Sequence, residues 1–172
     1  MMATLIGRLE RATLGAAGLA VVLLMLVISY DAIGRYVFNS PLPWAAEVAT
    51  NYLMILASYG ALSATFQRGD HIHIDLIQRR LSQKLRVRME VIFSLLGAIV
   101  FCIIVRGSWK NMVEAFVGKE FVPGYIMWPA WPSHLLIVVG SAVLVLRLLH
   151  HAWTMARKGE DPAVETVGEM IE

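Results

Sequence analysis

Residues 35–75 read RYVFNSPLPWAAEVATNYLMILASYGALSATFQRGDHIHID, and this stretch decides the fold. A polar turn bearing Asn39, Ser40, Pro41 and Pro43 enters an apolar run from Trp44 to Phe66. Pro43 suits the first turn of a helix, where a missing N–H costs nothing. Trp44 falls where a membrane helix meets the interface, the usual depth for an amphipathic aromatic. The run is about as long as a hydrocarbon core of roughly 30 Å requires at 1.5 Å per residue. It ends abruptly at Gln67-Arg68-Gly69-Asp70. The stretch therefore predicts one arm of a membrane hairpin, with polar clusters at both ends.

Working outward, composition agrees. Hydrophobic residues make up 58% of the 172 and charged residues 16%, against about a quarter charged in a soluble domain. Mean hydropathy is +0.63. The expectation is an all-α integral membrane protein: one domain over 1–158, with four transmembrane helices and a short interfacial helix. The spans are expected at about 12–33, 44–66, 87–108 and 132–149, the third helix being able to continue to Val117. The polar stretch 159–172 reads as a disordered tail. The single cysteine, Cys102, lies in an apolar run and reads as a packing residue. No cleavable leader is expected, since the first apolar run is long enough to span and Gly34-Arg35 does not resemble a cleavage site.

The first span follows a charged head of Arg8, Glu10 and Arg11. Ala12, Ala16 and Ala20 recur at a spacing that lets helix backbones approach in lipid; Ala57, Gly60, Ala61 and Ala64 offer a second such face on the next helix. Asp31 and Arg35 are four apart and can pair. Glu47, in the first turn of the second helix, is favoured by the helix dipole. A tight hairpin would bring it to the level of Arg35, so a three-residue cluster of Asp31, Arg35 and Glu47 is expected.

The link after the second span is basic. Ile74, Ile77, Leu81 and Leu85 form a helical stripe, and Arg79, Arg80, Lys84 and Arg86 fall largely off it. This pattern predicts an interfacial helix over about 72–81, with those four residues near lipid headgroups. His71-x-His73-x-Asp75 brings a metal site to mind, but i, i+2 histidines share a side only in a strand. Capping and anchoring of the interfacial helix is the preferred reading.

Of the fifteen lysines and arginines, all but Arg35, Arg106, Lys110 and Lys119 fall at the N-terminus, in the 68–88 link or at the C-terminal end. With four spans these share one side, which the positive-inside rule makes cytoplasmic. The 37–43 turn and the tryptophan–proline loop at 118–131 then face outward. There is no Walker A motif, so ATP hydrolysis is not encoded. No cysteine–histidine or serine–histidine–aspartate set is apparent, so no enzyme is expected. The histidines fall on opposite sides, which disfavours a haem. Asp31, Glu47 and Glu90 fall near helix ends, not deep in a span where a coupled pump would place a carboxylate. No cofactor is expected, and a partner-dependent subunit is.

The run R-Y-V-F-N-S-P-L-P-W-A-x-E, followed about two dozen residues later by H-I-x-I-D-L, resembles the small membrane (DctQ-like) subunit of tripartite ATP-independent periplasmic (TRAP) transporters. Chain size, span order and the loop before the fourth span fit as well. The matching positions are Arg35, Pro43, Trp44, Glu47, His71 and Asp75; Asp31 joins them as an assembly residue. Many relatives carry a proline before the third span, and this chain has Ser82-Gln83 instead. The resemblance implies an inner-membrane scaffold that grips a large membrane subunit. A periplasmic binding protein would deliver an organic anion, and a sodium gradient would drive its import. Two other classes remain: a haem- or quinone-binding anchor of a redox enzyme, and a small self-contained exporter. The substrate is not legible here, because its site would lie on other chains.

Overall fold

The computed structural model describes residues 2–67 and 83–158. The expected interfacial helix at 72–81 and the tail at 159–172 lie outside them, as do His71, Asp75, Arg79 and Arg80.

The first helix, α1, spans Met2–Val37, longer at both ends than the apolar window that announced it. At 1.5 Å per residue its 36 residues reach about 54 Å. It stops where the chain folds back. The Gly34 carbonyl accepts the N–H groups of Phe38 (3.2 Å) and Ser40 (2.9 Å). Asn39 adopts a left-handed φ of 51°, which asparagine tolerates better than most residues. Gly34 is needed there: a Cβ would sit 2.8 Å from the Ser40 carbonyl oxygen.

The second arm is a continuous helical run in three parts: α2 (Ala45–Val48), a π-helical segment (Ala49–Leu53) and α3 (Met54–Gln67). Pro43 lies in the turn before it and Trp44 is the N-cap, so the proline precedes the helix instead of occupying its first position. Through the π segment the hydrogen-bond register slips by one residue. Side chains fill in there: Thr50 Oγ1 donates to the Ala46 carbonyl (2.8 Å) and Asn51 Nδ2 to that of Glu47 (2.9 Å).

Helix α4 spans Gln83–Val117, so the expected continuation to Val117 is present. Lys84 and Arg86 fall in its first two turns. A hairpin-like loop follows. Lys119 takes a φ of 51°, and the Glu120 N–H reaches back to the Ala115 carbonyl (3.0 Å). Two short antiparallel strands, β1 (Phe121–Val122) and β2 (Trp128–Pro129), pair Phe121 with Pro129 and Val122 with Trp128. Helix α5 spans Trp131–Lys158, with Pro132 in its first turn, where the missing N–H is harmless.

Three of these helices are long and apolar enough to cross a membrane: Ile6–Val37, Val87–Val117 and Trp131–Arg157. Helix α5 is central; it packs against α4 on one side and α3 on the other, and α3 packs in turn against α1. Glycine sets the approach distances. At Gly60 a Cβ would lie 2.9 Å from the Thr13 carbonyl oxygen and 3.1 Å from the Ala17 Cβ. At Gly140 it would collide with the Tyr59 backbone. The face of α1 turned inward thus carries Thr13, Ala17 and Ala20, the two alanines being buried. Of the expected alanine ladder only Ala20 is on it; Ala12 is exposed and Ala16 half-buried. On α3, Gly60 and Ala64 are buried as anticipated. Ala98, Leu144 and Leu148 form the buried apolar cluster between α4 and α5, with Leu62, Phe66 and Phe101 packed on it.

Candidate functional site

Polar side chains gather at the two ends of the α1–α3–α5 core. One end holds the turn after α1 and the loop before α5. Arg35 Nη2 donates to Asp31 Oδ2 at 2.8 Å, the pair that the i, i+4 spacing predicts. Asp31 Oδ1 accepts the backbone N–H of Leu42, also at 2.8 Å, so the aspartate staples the turn to the helix it leaves.

Glu47 does not join them. Its carboxylate accepts the backbone N–H groups of Tyr125 (on Oε1) and Ile126 (on Oε2, 3.3 Å). The expected Arg35–Glu47 pair is therefore corrected: the glutamate ties the second helix to the 118–131 loop, and the arginine keeps Asp31. The physical reason is that two adjacent amides offer a fixed fork for both carboxylate oxygens, and hydrogen bonds to a charged acceptor are the strong ones. Gly124 makes room for the contact, since a Cβ there would overlap the Glu47 carboxylate. Below it, Tyr52 Oη donates to the Pro129 carbonyl at 2.5 Å, and its ring meets Trp128 edge to face at 6.3 Å. Phe116 meets Trp131 in the same manner at 5.8 Å. The loop is thus held from α2, the π segment and both flanking helices. Trp44 stands partly exposed beside this end.

The other end holds a cluster that reading the sequence missed. Glu10 is 2% exposed. Its Oε1 accepts the Ser63 hydroxyl at 2.7 Å and lies 3.6 Å from Arg147 Nε. One carboxylate thus joins α1, α3 and α5. Its Oε2 is buried with no hydrogen-bond partner among the described residues. One turn further along, Phe66 meets His151 edge to face at 5.4 Å. The sequence marks Glu10 only as part of a charged head with Arg8 and Arg11. The signal was its register: Glu10, Thr13, Ala17 and Ala20 lie on one helical face, and the last two are small.

Glu47 and Ser63 stand on the same helical run, so the two clusters are about 24 Å apart along it at 1.5 Å per residue. That is close to the thickness of a hydrocarbon core. Between them the walls are apolar, and large side chains such as Leu19, Leu26, Phe93 and Ile103 face outward, as lipid or a partner helix would require. The geometry suits a rigid membrane body clasped at each interface. Among the described residues no group of three His, Cys, Asp or Glu could hold a metal.

The comparisons agree on one family. The profile described as tripartite ATP-independent periplasmic transporters, DctQ component, matches residues 24–158. The chain is also similar to the C4-dicarboxylate TRAP transporter small permease protein DctQ of Rhodobacter capsulatus. The two are 28% identical over 121 residues, covering 70% of this chain and 52% of the relative. The chain therefore spans about half the length of that curated relative.

Proposed function

The chain belongs to the DctQ component family of tripartite ATP-independent periplasmic transporters, a transporter component and not an enzyme, and from that membership we propose that it is the small subunit clasped beside a large membrane subunit. The large subunit moves an organic anion inward on a sodium gradient, and a periplasmic binding protein supplies the anion. The relative's name suggests a dicarboxylate or similar acid as cargo. This chain's part is to hold its partner in place.

The observation that carries the reading is the coincidence of the family match with the clasped end that bears Asp31, Arg35 and Glu47. The matched region, 24–158, contains both halves of the Glu47–loop contact and both members of the Asp31–Arg35 pair. Of the residues that resemble the family motif, Arg35 and Glu47 bond within the chain, as a scaffold requires. In this reading the helical run 45–67 is a fourth span. The end bearing Glu47 faces the periplasm and the end bearing Glu10 faces the cytoplasm, where most lysines and arginines fall. Both termini are then cytoplasmic.

Co-expression with the neighbouring large membrane subunit tests the reading. The two should purify together through a tag on either. Orientation is tested on spheroplasts of a Cys102→Ser background. A cysteine replacing Ser40 should react with an impermeant maleimide, and one replacing Ser82 should not. The reverse labelling would invert the topology, and separate purification of the two subunits would refute the assignment.

A further inference from the structure

A groove of about 320 Å³ runs between α1 and α5, with α3 as its floor. Ala12 and Ala16 line one wall, Val139 and Val143 the other, and Leu56 and Gly60 the floor. It is open to the side along the apolar part of the helices. At one end only, charge appears. The Glu10–Arg147 bridge crosses from wall to wall there. Arg147 lies one turn beyond Val143 on the same face of α5, and its side chain is 20% exposed. Its Nε faces Glu10, and its Nη atoms have no hydrogen-bond partner among the described residues. Arg8, exposed, lies one turn before Ala12 on the ladder that continues to Ala16. Arg147 therefore stands one turn past one wall of an apolar cleft and Arg8 one turn before the other, and one buried carboxylate offsets only part of their charge.

We infer that this groove seats one acyl chain of an anionic phospholipid, with the lipid phosphate held between Arg8 and Arg147. The occupant follows from shape and charge together. The groove is lined by small and branched apolar side chains and is open to the side, so it takes a thin, flexible apolar chain lying along it. An acyl chain fits an apolar cleft open to the bilayer. Guanidinium groups bind phosphate oxygens through paired donors, and basic residues near an anionic leaflet attract its headgroups. The leaflet named is the cytoplasmic one, which rests on the orientation proposed above.

The test uses the complex of this chain with its large subunit, delipidated and titrated with phosphatidylglycerol or phosphatidylcholine under native mass spectrometry. One phosphatidylglycerol should be retained per small subunit, in preference to phosphatidylcholine, and inorganic phosphate at matched concentration should not displace it. Arg8→Gln should weaken retention about fivefold, the change expected from one lost basic contact. Ala16→Leu, which fills the groove without altering charge, should abolish it. Arg147→Gln should weaken it too, but it also strands Glu10, so the other two variants decide. Unchanged retention in both Arg8→Gln and Ala16→Leu, equal retention of the two lipids, or displacement by inorganic phosphate would each overturn the site. The same spectra report the large subunit by mass. Failure of the large subunit to co-purify would sink the scaffold reading, and lipid still retained by this chain in that case would leave the lipid site standing.

Discussion

The carboxylate of Glu47 accepts the backbone N–H of Tyr125, 78 residues further along the chain, and so ties the start of the second helical arm to the loop of the second hairpin. It is a charged acceptor on paired amides, a class that contributes about 1.5–3 kcal/mol. Glu47→Ala should therefore free the 118–131 loop and lower the thermal midpoint of the detergent-solubilised protein. A cysteine replacing Tyr125 should label faster in Glu47→Ala than in the parent. Gly124→Ala should act similarly, because its Cβ would displace the carboxylate. Identical labelling rates would show that the loop is held without Glu47.

Glycines on the helices divide into two groups by what surrounds them. Gly140→Ala would drive a Cβ into the Tyr59 backbone, and Gly60→Ala would press on Thr13 and Ala17. Overpacking of this kind costs about 1–3 kcal/mol, so both variants should unfold at lower temperature, Gly140→Ala the more. Gly15 and Gly18 meet nothing within 4 Å, and alanine there should be neutral or raise stability by up to about 1 kcal/mol through helix propensity. Equal losses at all four positions would contradict the packing described here.

Glu10 supplies a third prediction. Ser63→Ala removes its direct donor and should cost about 1–3 kcal/mol. Glu10→Ala leaves Arg147 facing an apolar groove, and breaking a buried pair costs about 3–5 kcal/mol; partial exposure of Arg147 places the expected loss toward the lower end. The double variant Glu10→Gln with Arg147→Gln should recover part of what Arg147→Gln alone loses. Additive losses in that cycle, read by thermal unfolding in detergent, would show that the two side chains do not interact.

Reading the sequence reached some of this and missed the rest for identifiable reasons. The hairpin was legible from the apolar run after Pro43, and Asp31 with Arg35 from their spacing, because both are local. The partner of Glu47 was not legible: the amides of Tyr125 and Ile126 are present in every residue but proline, and only the fold selects these two. Helix ends moved because α1 and α5 carry charge within the helix. Arg147 sits in the middle of α5 and Glu10 near the start of α1, and each is accommodated by the other. Hydropathy alone starts the first span after Glu10, while the window 132–149 already contains Arg147 and α5 runs on past it to Lys158. The π segment at Ala49–Leu53 leaves no mark in periodicity, since one slipped hydrogen bond shifts the apolar stripe too little to notice. The alanine ladder of α1 divides: Ala20 is buried beside Ala17 on the inward face, while Ala12 and Ala16 line the groove.

The central claim is that this chain supports transport without performing it. Proteoliposomes are prepared with this chain, with the large membrane subunit, or with both, and each is supplied with the binding protein, a labelled dicarboxylate and an inward sodium gradient. Uptake should require both membrane subunits and vanish when either is left out. Uptake by this chain alone, or full uptake by the large subunit without it, would contradict the account.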